Sequence, residues 1–133
     1  MTTLVELVAA KPQRLYHFCC QHSRRAIGTY GLLIPQIEHP LLGCRVVWLT
    51  TEAEPDRHAT GLANETGLLH CDRMEYRYVV SDLERARTWL QSPERAAAPP
   101  QAVADLESYG DAQHWWIANE PIRAKLDKSW QPQ

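Results

Sequence analysis

The stretch CRVVWLTT, residues 44–51, does most to fix what this chain can fold into. Val46, Val47, Trp48 and Leu49 follow one another without a polar break, the pattern of a strand covered on both faces. Three further segments read as strands. RLYHFCC (14–20) is dominated by aromatic residues and fits no helical period. MEYRYVV (74–80) sets Tyr76, Tyr78 and Val80 against Glu75, Arg77 and Val79, and HWWIANEPI (114–122) is apolar at its start and broken at or before Pro121.

Helical signals lie between them. Leu4, Val5, Leu7 and Val8 predict a short amphipathic helix within residues 1–12, stopped by Pro12. SRRAIGTY reads as a helix capped by Ser23, with Ala26, Ile27 and Tyr30 along one side and Gly31 closing it in a left-handed conformation. SDLERARTWLQSP predicts another helix. Ser81 and Glu84 form a capping-box pattern there, Leu83, Ala86, Trp89 and Leu90 give an apolar face, and Pro93 is a stop. ERAAAPPQA reads as an exposed linker and AVADLESYG as a helix ending at Gly110, while the polar tail 125–133 reads as loosely held. PQIEHPLLG is a Pro-bounded loop, and loop residues crowd the segment 52–70, which reads as a mobile flap. Strands and helices mix without regular alternation or internal repeat. The expected architecture is a single α+β domain over 1–133, built on a small, mostly antiparallel sheet with flanking helices.

Composition narrows the function classes. Hydrophobic residues are 44 % of the chain and charged residues 23 %, ordinary values for a packed domain. A formal net charge of −2 removes any global attraction to nucleic acid or to an anionic membrane. No run approaches the roughly 18 apolar residues of a membrane span. The opening MTTLVELVAAKP carries Glu6 and no basic n-region, so it does not read as a signal peptide. With Cys19, Cys20, Cys44 and Cys71 read as free thiols, the expected location is cytoplasmic.

His17, Cys19, Cys20, His22, Cys44, His70 and Cys71 invite a metal reading, but their spacings fit no common zinc pattern. Adjacent Cys19 and Cys20 on a strand point to opposite faces, which disfavours a disulfide between them. The segment TGLANETG lacks the Lys-Ser/Thr ending of a phosphate loop. A third constellation is spread along the chain: His17 on the first strand, Trp48 and Thr50 on the second, Arg77 on the third and Glu120 near the end.

That order resembles the ADP-ribosyltransferase fold superfamily, nearest the branch of the tRNA 2′-phosphotransferases and the DarT-type DNA ADP-ribosyltransferases. LYHFCC, SRRAIGTYGLLIP and RVVWLTT follow the family's progression of a His-bearing strand, a helix with a Gly-Leu step and a strand beside the nicotinamide pocket. EYRYVV and HWWIANEPI supply later strands, so the likeness in layout covers most of residues 14–122. The resemblance implies a split sheet and NAD as cofactor. It implies that His17 hydrogen-bonds a ribose or the nicotinamide end and that Trp48 and Thr50 line the nicotinamide pocket. Tyr30 or Trp115 would offer a stacking face. Arg77, or Arg24 and Arg25, would pair with the pyrophosphate. Glu120 would hold the nicotinamide ribose and stabilise an oxocarbenium-like transition state. The chain departs from the family in having Cys19 where the motif often has Thr, and in lacking a Glu-x-Glu pair near its end.

Three functions follow as expectations. The first is an NAD-dependent ADP-ribosyltransferase acting on a protein or nucleic-acid acceptor. The second is a non-catalytic nucleotide- or protein-binding accessory module on the same scaffold, for which five Trp and five Tyr would supply contact surface. The third is a zinc-stabilised domain using the Cys and His set.

Overall fold

A computed structural model of the chain describes residues 14–20, 24–25, 27–28, 30–35, 42–55, 74–108 and 110–131. The helix expected within 1–12, the cap at Ser23 and most of the flap at 52–70 lie outside the described residues. Among the described residues seven strands form one antiparallel sheet: β1 (Leu15–Cys19), β2 (Tyr30–Leu33), β3 (Val47–Thr50), β4 (Tyr76–Val80), β5 (Arg87–Thr88), β6 (Trp115–Ala118) and β7 (Ile122–Leu126). Their order is β2-β7-β4-β1-β3-β6-β5. Two short helices, α1 (Pro93–Ala97) and α2 (Pro100–Glu107), join β5 to β6. The α+β class with an antiparallel sheet is therefore as the sequence implies. No helix among the described residues is long and apolar enough to cross a membrane.

The sheet cannot be flat. β6 and β7 are four strand positions apart in the order, about 19 Å across a flat sheet. The chain between Ala118 and Ile122 reaches at most about 14 Å. The sheet therefore curls until its two wings approach, and one face becomes the inside. That face carries the main core, where Val47, Leu49 and Ala118 of one wing meet Tyr78, Ile122, Ala124 and Leu126 of the other. β3, read as covered on both sides, is so. Its outer face meets a second core of Trp89, Val103, Trp115 and Ile117, closed by the two helices. Trp48 packs there with ring centroids 5.0 Å from Trp89 and 5.9 Å from Trp115.

Several expectations are corrected. The helix read over SDLERARTWLQSP is a single 3-10 turn at Leu83–Arg85 followed by β5. Its apolar spacing serves the sheet instead. Arg87 and Thr88 pair with Ile117 and Trp116, and Trp89 is fully buried with its N–H donating to Trp115 O at 2.9 Å. A local helical preference of tenths of a kcal/mol per residue yields to that burial. ERAAAPPQA, read as an exposed linker, is helical. Ser92 Oγ accepts from Arg95 N at 3.1 Å as an N-cap, and Pro93 and Pro100 each open a helix at a first-turn position, where no N–H is needed. The helix read in AVADLESYG exists as α2 but starts earlier and ends at Glu107.

Gly31 does not close a helix. Gly28, at φ 78°, terminates the helical residues Arg24, Arg25 and Ile27, and Gly31 lies in β2 opposite Ala124. At the start of the segment read as a tail, Lys125 and Leu126 instead complete β7 between β2 and β4. Beyond it the tail folds onto the outer face of β1 and β4. Arg77 donates through Nε to Asp127 Oδ2 at 3.0 Å and through Nη1 to Ala53 O at 2.6 Å. Its guanidinium lies between the rings of Tyr16 (5.2 Å) and Trp130 (4.7 Å).

Candidate functional site

β1 is paired with β4 along all five of its residues, from Leu15↔Val80 to Cys19↔Tyr76. Its ladder with β3 consists of one pair, Tyr16↔Thr50. Past that pair β1 and β3 are no longer paired residue to residue, and His17 stands beside the unpaired stretch. Its Nδ1 lies 2.8 Å from Trp48 O, so a side chain supplies the hydrogen bond that a backbone N–H would give in a continuous ladder. Donation from Nδ1–H fixes the tautomer and leaves Nε2 as an acceptor. Burial holds His17 below its ordinary pKa, against the opposing pull of the Trp48 carbonyl. The ring is therefore neutral near pH 7.

His17 and Tyr78 are cross-strand neighbours on the inner face, and Cys19 and Tyr76 are the next such pair. Arg24 follows directly, with its guanidinium 5.3 Å over the Tyr76 ring and its N–H bonded to Cys20 O at 3.1 Å. His17 thus stands at the middle of the β1–β4 pair on its inner face, and Tyr76, with Arg24 over its ring, stands at the Cys19 end. Tyr78 is anchored beneath them by its hydroxyl, which donates to Gly28 O. Burial first, and Cys20 second, push the Cys19 thiol up to about 12, so it is a neutral packing group and not a thiolate. Cys19 and Cys20 form no disulfide with one another.

The other expected site residues are dispersed. Thr50 is buried on the face opposite His17, with its hydroxyl accepting from Glu52 N at 3.2 Å. Trp48 offers the unpaired stretch its carbonyl, while its ring is in the second core. Trp115 is buried in that same core. Arg77 is committed to Asp127, and Arg25 is exposed. Tyr30 is in edge strand β2, opposite Lys125. Glu120 is exposed in the β6–β7 link, 3.9 Å from Arg85, and forms no hydrogen bond or ion pair with His17 or Thr50. It lines a cleft of about 410 Å³ with Leu32, Asp82, Arg85 and Arg123. Of the Cys and His set, His22, His70 and Cys71 lie outside the described residues. Tyr76 is the neighbour of His17 that sequence reading passed over, because its partner Arg24 is on a different element and leaves no local spacing signal.

The neutral His17 makes a pH prediction. A proton binds the unfolded chain more tightly than the fold, so stability is full above about pH 6.5, the ordinary value, and falls as pH drops below it. The loss stops once the depressed folded-state pKa is passed. His17→Gln, which keeps an N–H donor for Trp48 O, removes this slope. Urea midpoints measured between pH 7.5 and 5 on both proteins check it. Equal slopes would refute the assignment. Asp127 and Glu107, both held below ordinary carboxylate values, act in a lower, separate window.

No protein-family model, curated protein or solved structure matches the chain.

Proposed function

We propose that the protein binds NAD at the unpaired stretch of β1 and β3 and transfers its ADP-ribose to a macromolecular acceptor. The observation that carries this reading is the single-pair contact of β1 and β3 with a neutral His17 beside the unpaired stretch. A ring with Nδ1–H tied to a carbonyl presents Nε2 to a ribose hydroxyl. Being uncharged, it does not repel the positive nicotinamide. Arg24, on the helical residues that follow β1, would pair with the pyrophosphate. In the transfer the bond from ribose C1′ to the nicotinamide nitrogen breaks, and the electron pair leaves with nicotinamide. An acceptor heteroatom bonds C1′ and loses its proton to a general base. The reading assigns Glu120 to that base and to stabilising the developing charge.

The test uses labelled NAD and calorimetry. Wild type binds and consumes NAD, Glu120→Ala abolishes turnover with binding unchanged, and His17→Ala weakens binding by about tenfold, the worth of one hydrogen bond. Absence of NAD binding by wild type overturns the reading. A second reading, a nucleotide-binding module without turnover, is favoured by the surface pairing of Glu120 with Arg85 away from His17. Binding without consumption selects it.

A further inference from the structure

We propose that Glu52, Asp111 and His114 form a divalent-metal site, matched to zinc, where the segment after β3 meets the 3-10 turn Ala112–His114 before β6. His114 Nε2 lies 3.2 Å from Glu52 Oε1 and 3.5 Å from Asp111 Oδ2. One donor atom from each residue falls within 4.8 Å of the others. Donors of a tetrahedral zinc, each about 2.0–2.1 Å from the ion, stand about 3.4 Å apart, and the two imidazole–carboxylate separations bracket that value. An imidazole among the donors disfavours magnesium and calcium, which take oxygen ligands.

The second nitrogen of the ring is also engaged. Thr51 Oγ1 is 2.8 Å from His114 Nδ1. In the metal-bound tautomer this hydroxyl would accept from Nδ1–H and leave the Nε2 lone pair facing the two carboxylates, the role outer partners play for metal-bound histidines. Without a cation, Nε2 offers at most one proton between two carboxylates, with Gln113 as a further donor to Asp111 Oδ2. A divalent ion satisfies both. The backbone fixes the donors in advance: Thr51 N–H donates to His114 O at 3.1 Å, and His114 N–H to Asp111 O at 3.1 Å. Gln113 Nε2 donates to Asp111 Oδ2 at 3.1 Å and orients that carboxylate. All three residues are half-exposed, so a fourth position is open to water.

The site makes no use of the NAD reading and stands or falls separately. Zinc chloride titrated into the metal-free full chain by calorimetry should show one equivalent bound. Glu52→Gln and His114→Gln should each weaken it at least tenfold. Cobalt(II) should give visible d–d absorption without thiolate charge-transfer bands. Thiolate bands, or affinity unchanged in both variants, would place the ion on cysteine and overturn the proposal. So would no stoichiometric binding, which would leave the trio as side chains that only contact one another. Should a variant fail to fold, the ring proton resonances of wild-type His114 carry the test, and they must shift in step with the first equivalent of zinc.

Discussion

Gly31→Ala should destabilise the fold by about 3–5 kcal/mol, in the range reserved for lesions that the surroundings cannot absorb. A Cβ at position 31 would fall 1.8 Å from the Ile27 carbonyl oxygen and 2.8 Å from its carbon. Both are backbone atoms, so no rotamer change relieves the contact. Either the turn through Gly28 must move off the sheet or β2 must leave β7, which among the described strands is the one that pairs with β2. Gly28→Ala is the informative control. Gly28 has φ 78°, yet a Cβ there would meet nothing within 4 Å. Its cost is the backbone penalty alone, about 1–2 kcal/mol. Urea denaturation of the two variants should therefore rank Gly31→Ala well below Gly28→Ala. The reverse order would show that the approach of β2 to Ile27 is not as described.

The second large effect is expected at Arg77. Its side chain is 11 % exposed and that of Asp127 is 19 %, so removing the cation strands a carboxylate in a place with little water. Arg77→Ala should cost about 3–5 kcal/mol, the scale for breaking a buried pair from one side. Arg77→Lys restores charge but not the two N–H bonds to Oδ2 or the sandwich between Tyr16 and Trp130, and should recover only part of the loss. Trp130 packs edge-on against Phe18 at 5.1 Å and donates to Met74 O at 3.0 Å, so its fluorescence reports the docking of the tail. That signal should shift toward solvent in Arg77→Ala before the global transition. Ser129 is the leading cause of the depressed Asp127 pKa and Arg77 a smaller one. The stability Asp127 supplies above its ordinary pKa of 3.8, lost as pH falls, should therefore shrink in Arg77→Ala without vanishing. A double-mutant cycle with Asp127→Ala that gives no coupling would remove the pair from the account.

What was legible in the chain depended on whether a residue's partner was near in sequence. β1, β3, β4 and β6 announce themselves by unbroken or alternating apolar and aromatic residues, a property of each segment alone. β7 carries an equally clean alternation, Ile122-Arg123-Ala124-Lys125-Leu126, buried at every odd position of the strand. It was hidden by Pro121, which reads as a stop although proline is well tolerated just before a strand. The helix wrongly read from Ser81 had every local mark of one. Its failure lies in Trp89, whose burial against Trp48 depends on a strand some forty residues earlier in the chain.

The site follows the same rule. His17 could be singled out as a histidine on a strand, but its hydrogen bond spans 31 residues and the unpaired stretch beside it is a property of the sheet. Arg77 has the composition of a phosphate ligand and the surroundings of a structural pin, because Asp127 is 50 residues away. Glu52 and His114 come together across the β3–β6 pairing, which no spacing in the sequence records.

The position of β7 between β2 and β4 has a kinetic meaning. β2 long precedes β7 in the sequence, yet β7 is its one neighbour among the described strands. Until Ile122–Leu126 arrives, β2 and one edge of β4 expose unpaired backbone, and Leu33 and Val80 lack the apolar strand that buries them. Chain-distant pairing of this kind costs loop-closure entropy before any contact rewards it, so a late and slow insertion of β7 is the expected behaviour, and a single fast refolding phase would contradict it.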